Sequence, residues 1–275
     1  MDPESIAGRS LLAGFLVNTG IFGMAAPKDV FPQARAIAQQ VLDDGPNAFA
    51  LYVLGISAWL YDWDTRLARR LFEESLLLSD RARALYATLL VFCGETERGL
   101  QEMSAALTED PFDANNRQQH VDVLWYARRM DDALAEATRL QELFPESSHV
   151  HFQLAKILLA TGKPEAALPW AQQSAAGRHP SGTASLVEIL AALGKQDEAR
   201  KIRDAALATS KTRFVSPTNL ARMHHALGQR DEAFAQLDRA GEARDALFVT
   251  LGLDPMFDAF RTDKRFESYV RRIQY

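Results

Sequence analysis

The feature that most constrains this chain is a spacing. A glycine followed five positions later by an alanine recurs at Gly162/Ala167, Gly194/Ala199 and Gly228/Ala233, and as Gly94/Gly99 with glycine in place of the alanine. Extended to units without the glycine, the small-residue series reads Ala34, Ala68, Gly99, Ala133, Ala167, Ala199 and Ala233, with steps of 34, 31, 34, 34, 32 and 34. Proline follows four of these positions after twelve or thirteen residues, at Pro46, Pro111, Pro145 and Pro180. A period near 34 over most of a 275-residue chain implies stacked units, each hiding its apolar face against the next.

The chemistry inside one period specifies the unit. A helical pattern such as 82–93 or 152–160 precedes each glycine, which ends that helix in a left-handed conformation without a Cβ penalty. Acidic residues follow, as in Gly194-Lys-Gln-Asp-Glu-Ala199, where carboxylates favour the positive start of a second helix. The alanine then falls where the two helices approach most closely. Residues four and seven further on (Phe72, Met103, Leu237; Ser75, Ala106, Ala206, Ala240) share its face and meet the neighbouring unit.

This pattern resembles the tetratricopeptide repeat, a helix pair stacked into a right-handed superhelix. The resemblance covers residues 2–245 as about seven helix pairs and implies an all-α solenoid. Gly99 in place of the packing alanine, Arg128 in place of a turn glycine, and a long loop around Asn18 to Lys28 depart from it. Two segments are closer still to one bacterial subgroup: Tyr61-Asp62-Trp63-Asp64 with Ala68 and Phe72, and the stretch from Ala221 through Asp254-Pro255, Phe257-Asp258, Arg261, Asp263 and Arg265-Phe266. In that subgroup the repeats follow a winged-helix, nucleotide cyclase or serine/threonine kinase domain. The resemblance therefore implies the interaction or signal-receiving half of a bacterial regulatory protein. A stand-alone scaffold or chaperone-like adaptor, or a small-molecule sensor, are the alternatives.

No residue pattern points to catalysis. His149 and His151 are two apart, and His224 and His225 adjacent, so neither pair can pinch a metal from one helix face. Acidic pairs such as Asp131-Asp132 and Asp197-Glu198 sit where helix starts account for them. The lone Cys93 ends an apolar run and reads as a small hydrophobe, and it is compatible with a reducing, cytoplasmic setting. We expect no enzyme activity, metal or cofactor. A net charge of -5 argues against direct nucleic-acid contact. The most apolar stretch, 11–26, is shorter than the span of about 20 residues a membrane helix needs, and Asp2-Pro3 reads as a helix start.

What remains is a groove. First helices of stacked pairs line the concave side, and counting back from each turn places Arg81, Thr88, Asn115, Gln118, Asp122, Tyr126, His149, Lys156, Glu188, Arg222 and His225 there. These are the expected contacts for a protein or peptide, with Asn115, Gln118, Asp122 and Lys156 facing solvent and Glu136 and Gln172 on the outside. Homo-oligomers are compatible with the same reading. After Ala240 the period breaks: an apolar run at 246–253, a restart at Asp254-Pro255, and an amphipathic end carrying Phe266, Tyr269, Val270 and Ile273. Residues 246–275 are therefore expected to form a cap packed on the last repeat.

Overall fold

The computed structural model describes residues 5–273, and every regular element among them is helical. Successive helices pair: α1 (Ile6–Ile21) with α2 (Pro27–Asp43), α3 (Ala48–Ser57) with α4 (Thr65–Leu76), and α5 (Arg83–Phe92) with α6 (Thr96–Glu109). Then come α7 (Ala114–Tyr126) with α8 (Met130–Leu143), and α9 (Ser148–Ala160) with α10 (Pro164–Ala176). The series ends with α11 (Gly182–Ala192) and α12 (Gln196–Thr209), then α13 (Pro217–Ala226) and α14 (Arg230–Ala243). First helices α5, α7, α9, α11 and α13 also touch in sequence, forming a continuous inner row. The Asp2-Pro3 helix start lies outside the described residues, and α1 is capped by Ser5, whose Oγ accepts from the Gly8 N–H.

The turns within pairs share one geometry. Gly94, Gly162, Gly194 and Gly228 all have φ between 74° and 82°. The residue after each donates its N–H to a carbonyl five back, as Lys163 does to Leu158 at 2.9 Å. That closes the first helix with the hydrogen bond of a Schellman motif. Two non-glycine residues hold the same turn position, Trp63 (φ 63°) and Arg128 (φ 62°). A left-handed backbone costs a residue with a Cβ roughly 1–2 kcal/mol, so both side chains need a compensating contact.

The small-residue series is the seam of each pair. Ala34, Ala68, Ala133, Ala167, Ala199 and Ala233 are all fully buried. At Gly99 a Cβ would lie 2.7 Å from the Ala87 carbonyl oxygen, so this pair approaches more closely than alanine permits. Helix starts divide by type. Asn47, Asp113, Ser147 and Ser216 cap α3, α7, α9 and α13 with their side chains, whereas α8, α12 and α14 carry paired acids in the first turn. The expected long first loop shrinks to residues 22–26. Helix α1 continues through Asn18-Thr19-Gly20, because Gly20 lets it rest on Phe31 and Val30 of α2.

The segment after α14 reaches far beyond the last repeat. Short 3-10 turns at Ala246–Thr250 and Pro255–Thr262 lead into α15 (Arg265–Val270). Phe266, Tyr269 and Ile273 are buried in the same cluster as Phe234, Leu237 and Ala240 of α14, as a cap would be. Phe248, however, stacks on Trp63 of the second pair with ring centroids 4.9 Å apart. Leu253 packs with the core of α5 and α6, and Met256 with that of α7 and α8. Trp125 donates its indole N–H to Asp254 at 3.0 Å, and Phe260 stacks on His225 at 4.0 Å. The tail thus crosses the inner row, touching the first, second, third, fourth, fifth and seventh pairs.

Candidate functional site

The inner row carries a ladder of polar side chains at one register. Thr88, Asp122, Lys156, Glu188 and Arg222 stand at equivalent positions on α5, α7, α9, α11 and α13, so the repeat that stacks the helices also aligns these residues. Neighbours pair across helices. Lys156 Nζ donates to Asp122 at 2.8 Å, and Arg222 grips Glu188 with two hydrogen bonds of 2.6 and 2.9 Å. Thr88 Oγ1 donates to Gln119 Oε1 at 3.3 Å. Beside the ladder, Gln153 donates to the Gln118 carbonyl, and Arg222 also donates to Ser185 and Asn219.

The charges cancel within the ladder. Lys156 is only 4% exposed, contrary to the expectation that it faces solvent. Its ammonium lies 4.8 Å from the Trp125 ring centre and 5.2 Å from that of Phe152. Burial by itself would push the Asp122 carboxyl up. Lys156 and His149 overcome it and hold that carboxyl well below the usual carboxylate range. A buried ammonium or carboxylate tolerates this setting only with its partner present, so each pair behaves as one neutral unit.

His149 extends the network to the next unit. Its Nε2 faces Asp122 at 3.5 Å and its Nδ1 meets His179 Nε2 at 3.1 Å. The backbone N–H of Ser181 donates to His179 Nδ1, which leaves the His179 proton on Nε2. His149 therefore accepts at Nδ1 and carries its own proton toward Asp122. Burial, with the neighbouring His149 and Lys156, holds His179 well below the ordinary imidazole range. Phe152 stacks on the His179 ring at 4.3 Å and closes its other side. Among the described residues no group of three or more His, Cys, Asp or Glu side chains is arranged to hold a metal ion.

Asp122, His149 and Lys156 form one cluster and Glu188 and Arg222 another, Thr88 and the Gln118 carbonyl make separate bonds beside them, and the exposed Asn115 stands one turn before Gln118 on α7. The remaining expected contacts are placed differently, though Tyr126 keeps its ring 5.8 Å from the Lys156 ammonium. His225 is covered by Phe260 of the tail, Tyr126 packs edge-on against Phe92 at 4.7 Å, and exposed Arg81 lies over the Phe49 ring. Glu136 is not an outer solvent residue: it is 6% exposed and paired with Arg117 at 2.9 Å. His179 escaped the sequence reading because it precedes a helix instead of lying within one. Its signal was its place, three residues before the start of α11 and therefore beside the start of α9. The tail thus covers part of the inner row, and Thr88, Lys156 and Arg222 of the ladder are themselves buried.

No protein-family model matches the sequence, and no curated protein does. Solved structures do resemble it. A tetratricopeptide repeat protein from Parabacteroides merdae ATCC 43184 aligns over 88% of this chain and 99% of its own, with 14% identity and a TM-score of 0.55. The APC/C hetero-tetramer Cut9-Hcn1 contains a chain that aligns with all of this one over 61% of its own length, again with 14% identity and a TM-score of 0.59. At that identity the likeness speaks for architecture alone. The chain has the fold of a tetratricopeptide-type helical-repeat solenoid.

Proposed function

We propose that this chain binds a peptide or protein segment on its concave face around Asn115, Gln118 and Gln119, as the interaction module of a bacterial regulatory protein. The observation that carries the reading is the ladder itself. Its charges are neutralised internally and both His149 nitrogens are engaged, so the groups left to a ligand are the carboxamides of Asn115, Gln118 and Gln119. Such groups both donate and accept, which suits the main chain of an extended segment better than one charged side chain. Phe152 supplies an apolar floor beside them. The regulatory setting is supported by the Tyr61-Asp62-Trp63-Asp64 segment and by Asp254-Pro255 with Phe257-Asp258, which resemble the repeat region of such regulators.

The test begins with capture of a partner on the purified chain, followed by titration of that partner against variants. Asn115→Ala and Gln118→Ala should each weaken binding by roughly 1 kcal/mol or more, as truncation of central contacts does. Gln172→Ala on exposed α10 should leave affinity unchanged. A partner lost with Gln172→Ala and retained by both inner variants would place the contact on the convex side and end this reading.

A further inference from the structure

The turn at Trp63 and the end of the chain together build a second site, apart from the ladder. A surface cleft of about 560 Å³ is lined by Asp62, Trp63, Asp64, Arg244, Arg271 and Arg272. Three of its charges are already committed. Asp62 pairs with Arg35, Asp64 caps α4 by accepting from the Leu67 N–H, and Arg271 pairs with Glu267. Arg244 and Arg272 have no carboxylate within ion-pair distance among the described residues.

Both free guanidinium groups are held in place. Arg244 closes α14 in a left-handed conformation (φ 54°), which sets its guanidinium 4.0 Å above the Trp63 ring. Arg272 lies over Trp63 and Phe248 at 5.7 and 5.5 Å. It rests against Gly241, where a Cβ would fall 2.7 Å from its Nη2. Trp63 is itself left-handed and 6% exposed, and its buried Nε1 finds no acceptor among the described residues. Arg244 Nη1 reaches the Tyr61 carbonyl at 3.4 Å, and the other donors of the two forks and the indole N–H have no carboxylate partner among the described residues. With Arg244 and Phe248 packed on the Trp63 ring, an aromatic base finds no stacking platform there.

We propose that this cleft binds an oxyanion, a carboxylate or phosphoryl group, between Arg244 and Arg272. Arginine forks match such groups by paired, charge-assisted hydrogen bonds. The proposal is independent of the concave-face reading, and either can fail without the other.

Calorimetric titration of the full chain at low ionic strength tests it with three probes: inorganic phosphate, a short peptide carrying paired glutamates, and the same peptide with glutamines. Saturable binding of phosphate or of the acidic peptide, but not of the glutamine peptide, is expected, and the tighter probe identifies the source. Arg272→Gln should weaken it about tenfold, the worth of one charge-assisted contact. Gly241→Ala keeps both arginines and a good helix residue yet displaces the Arg272 fork, and should weaken binding similarly. Arg213→Gln, on an exposed loop, should change nothing, with circular dichroism confirming that every variant is folded. No saturation by either anionic probe, or equal affinity in the wild type and in folded Arg272→Gln and Gly241→Ala, would overturn the assignment.

Discussion

The two ends of the solenoid are finished differently. At the C-terminal end, α14 buries Phe234, Leu237 and Ala240 beneath the tail, and the tail's own Phe248, Phe257, Phe260 and Phe266 are at most 2% exposed. At the other end, α1 leaves Leu11, Leu12, Phe15 and Phe22 between 45% and 62% exposed, with Met24 beyond them at 66%. Leu11, Phe15 and Phe22 follow helical spacing, so they form one stripe on one face. A stack of repeats must end twice, and each end needs a cover. The contrast separates apolar residues that belong to this chain's core from those that do not.

The largest test of that contrast removes the tail. A chain ending at Asp245 loses several buried aromatics, each worth about 3–5 kcal/mol on truncation, against a typical total stability of about 5–15 kcal/mol. We expect loss of cooperative urea unfolding for the entire chain. Retention of a normal transition with only a small shift would reduce the tail to a cap on the seventh pair.

Single substitutions sharpen the same point. Phe248→Ala should cost about 3–5 kcal/mol, because it opens a cavity against Trp63. Phe15→Ser, on the bare end, should stay within about 0.5 kcal/mol. Equal urea midpoints for the two would mean that α1 is covered in solution.

Acid provides a smaller and regional perturbation. All six histidines lie between His120 and His225, so the first three pairs have none. Burial is the leading cause that holds His120, His179, His224 and His225 below the ordinary value of 6.5. The unfolded chain therefore takes up protons first as pH falls. The stability these groups supply is full above about pH 6.5 and declines below it. Hydrogen exchange compared at about pH 7.5 and 5.5, after correction for the intrinsic rate, should show α9 to α13 losing protection before α1 to α5. His179→Asn should flatten part of that dependence. A uniform loss along the chain would show that the histidines are not its source.

Much of this was legible in the sequence because a period carries two kinds of information. It fixed the seam alanines and the left-handed turns, and it aligned Thr88, Asp122, Lys156, Glu188 and Arg222 on one face. It could not reveal that Lys156 would be buried by Trp125 and Phe152, since register gives facing but not the distance between neighbouring helices. The path of the tail was equally hidden. What lies across a superhelix depends on small rotations summed over several units, and no local pattern encodes that sum. The clue lay in the exceptions: Trp63 and Arg128 occupy turn positions that favour glycine, and both side chains touch the tail.

The tail also changes when the molecule can become itself. Stacked repeats make mostly neighbour contacts and can fold outward from any unit, which favours speed. Here Trp125 waits for Asp254, 129 residues later, and the Tyr61 carbonyl for Arg244, 183 residues later. During synthesis the second pair would stand complete in its helices while the Trp63 face stayed wet until Phe248 emerged. Folding therefore includes a late, long-range docking step, in which the segment after α14 locks helices made far earlier.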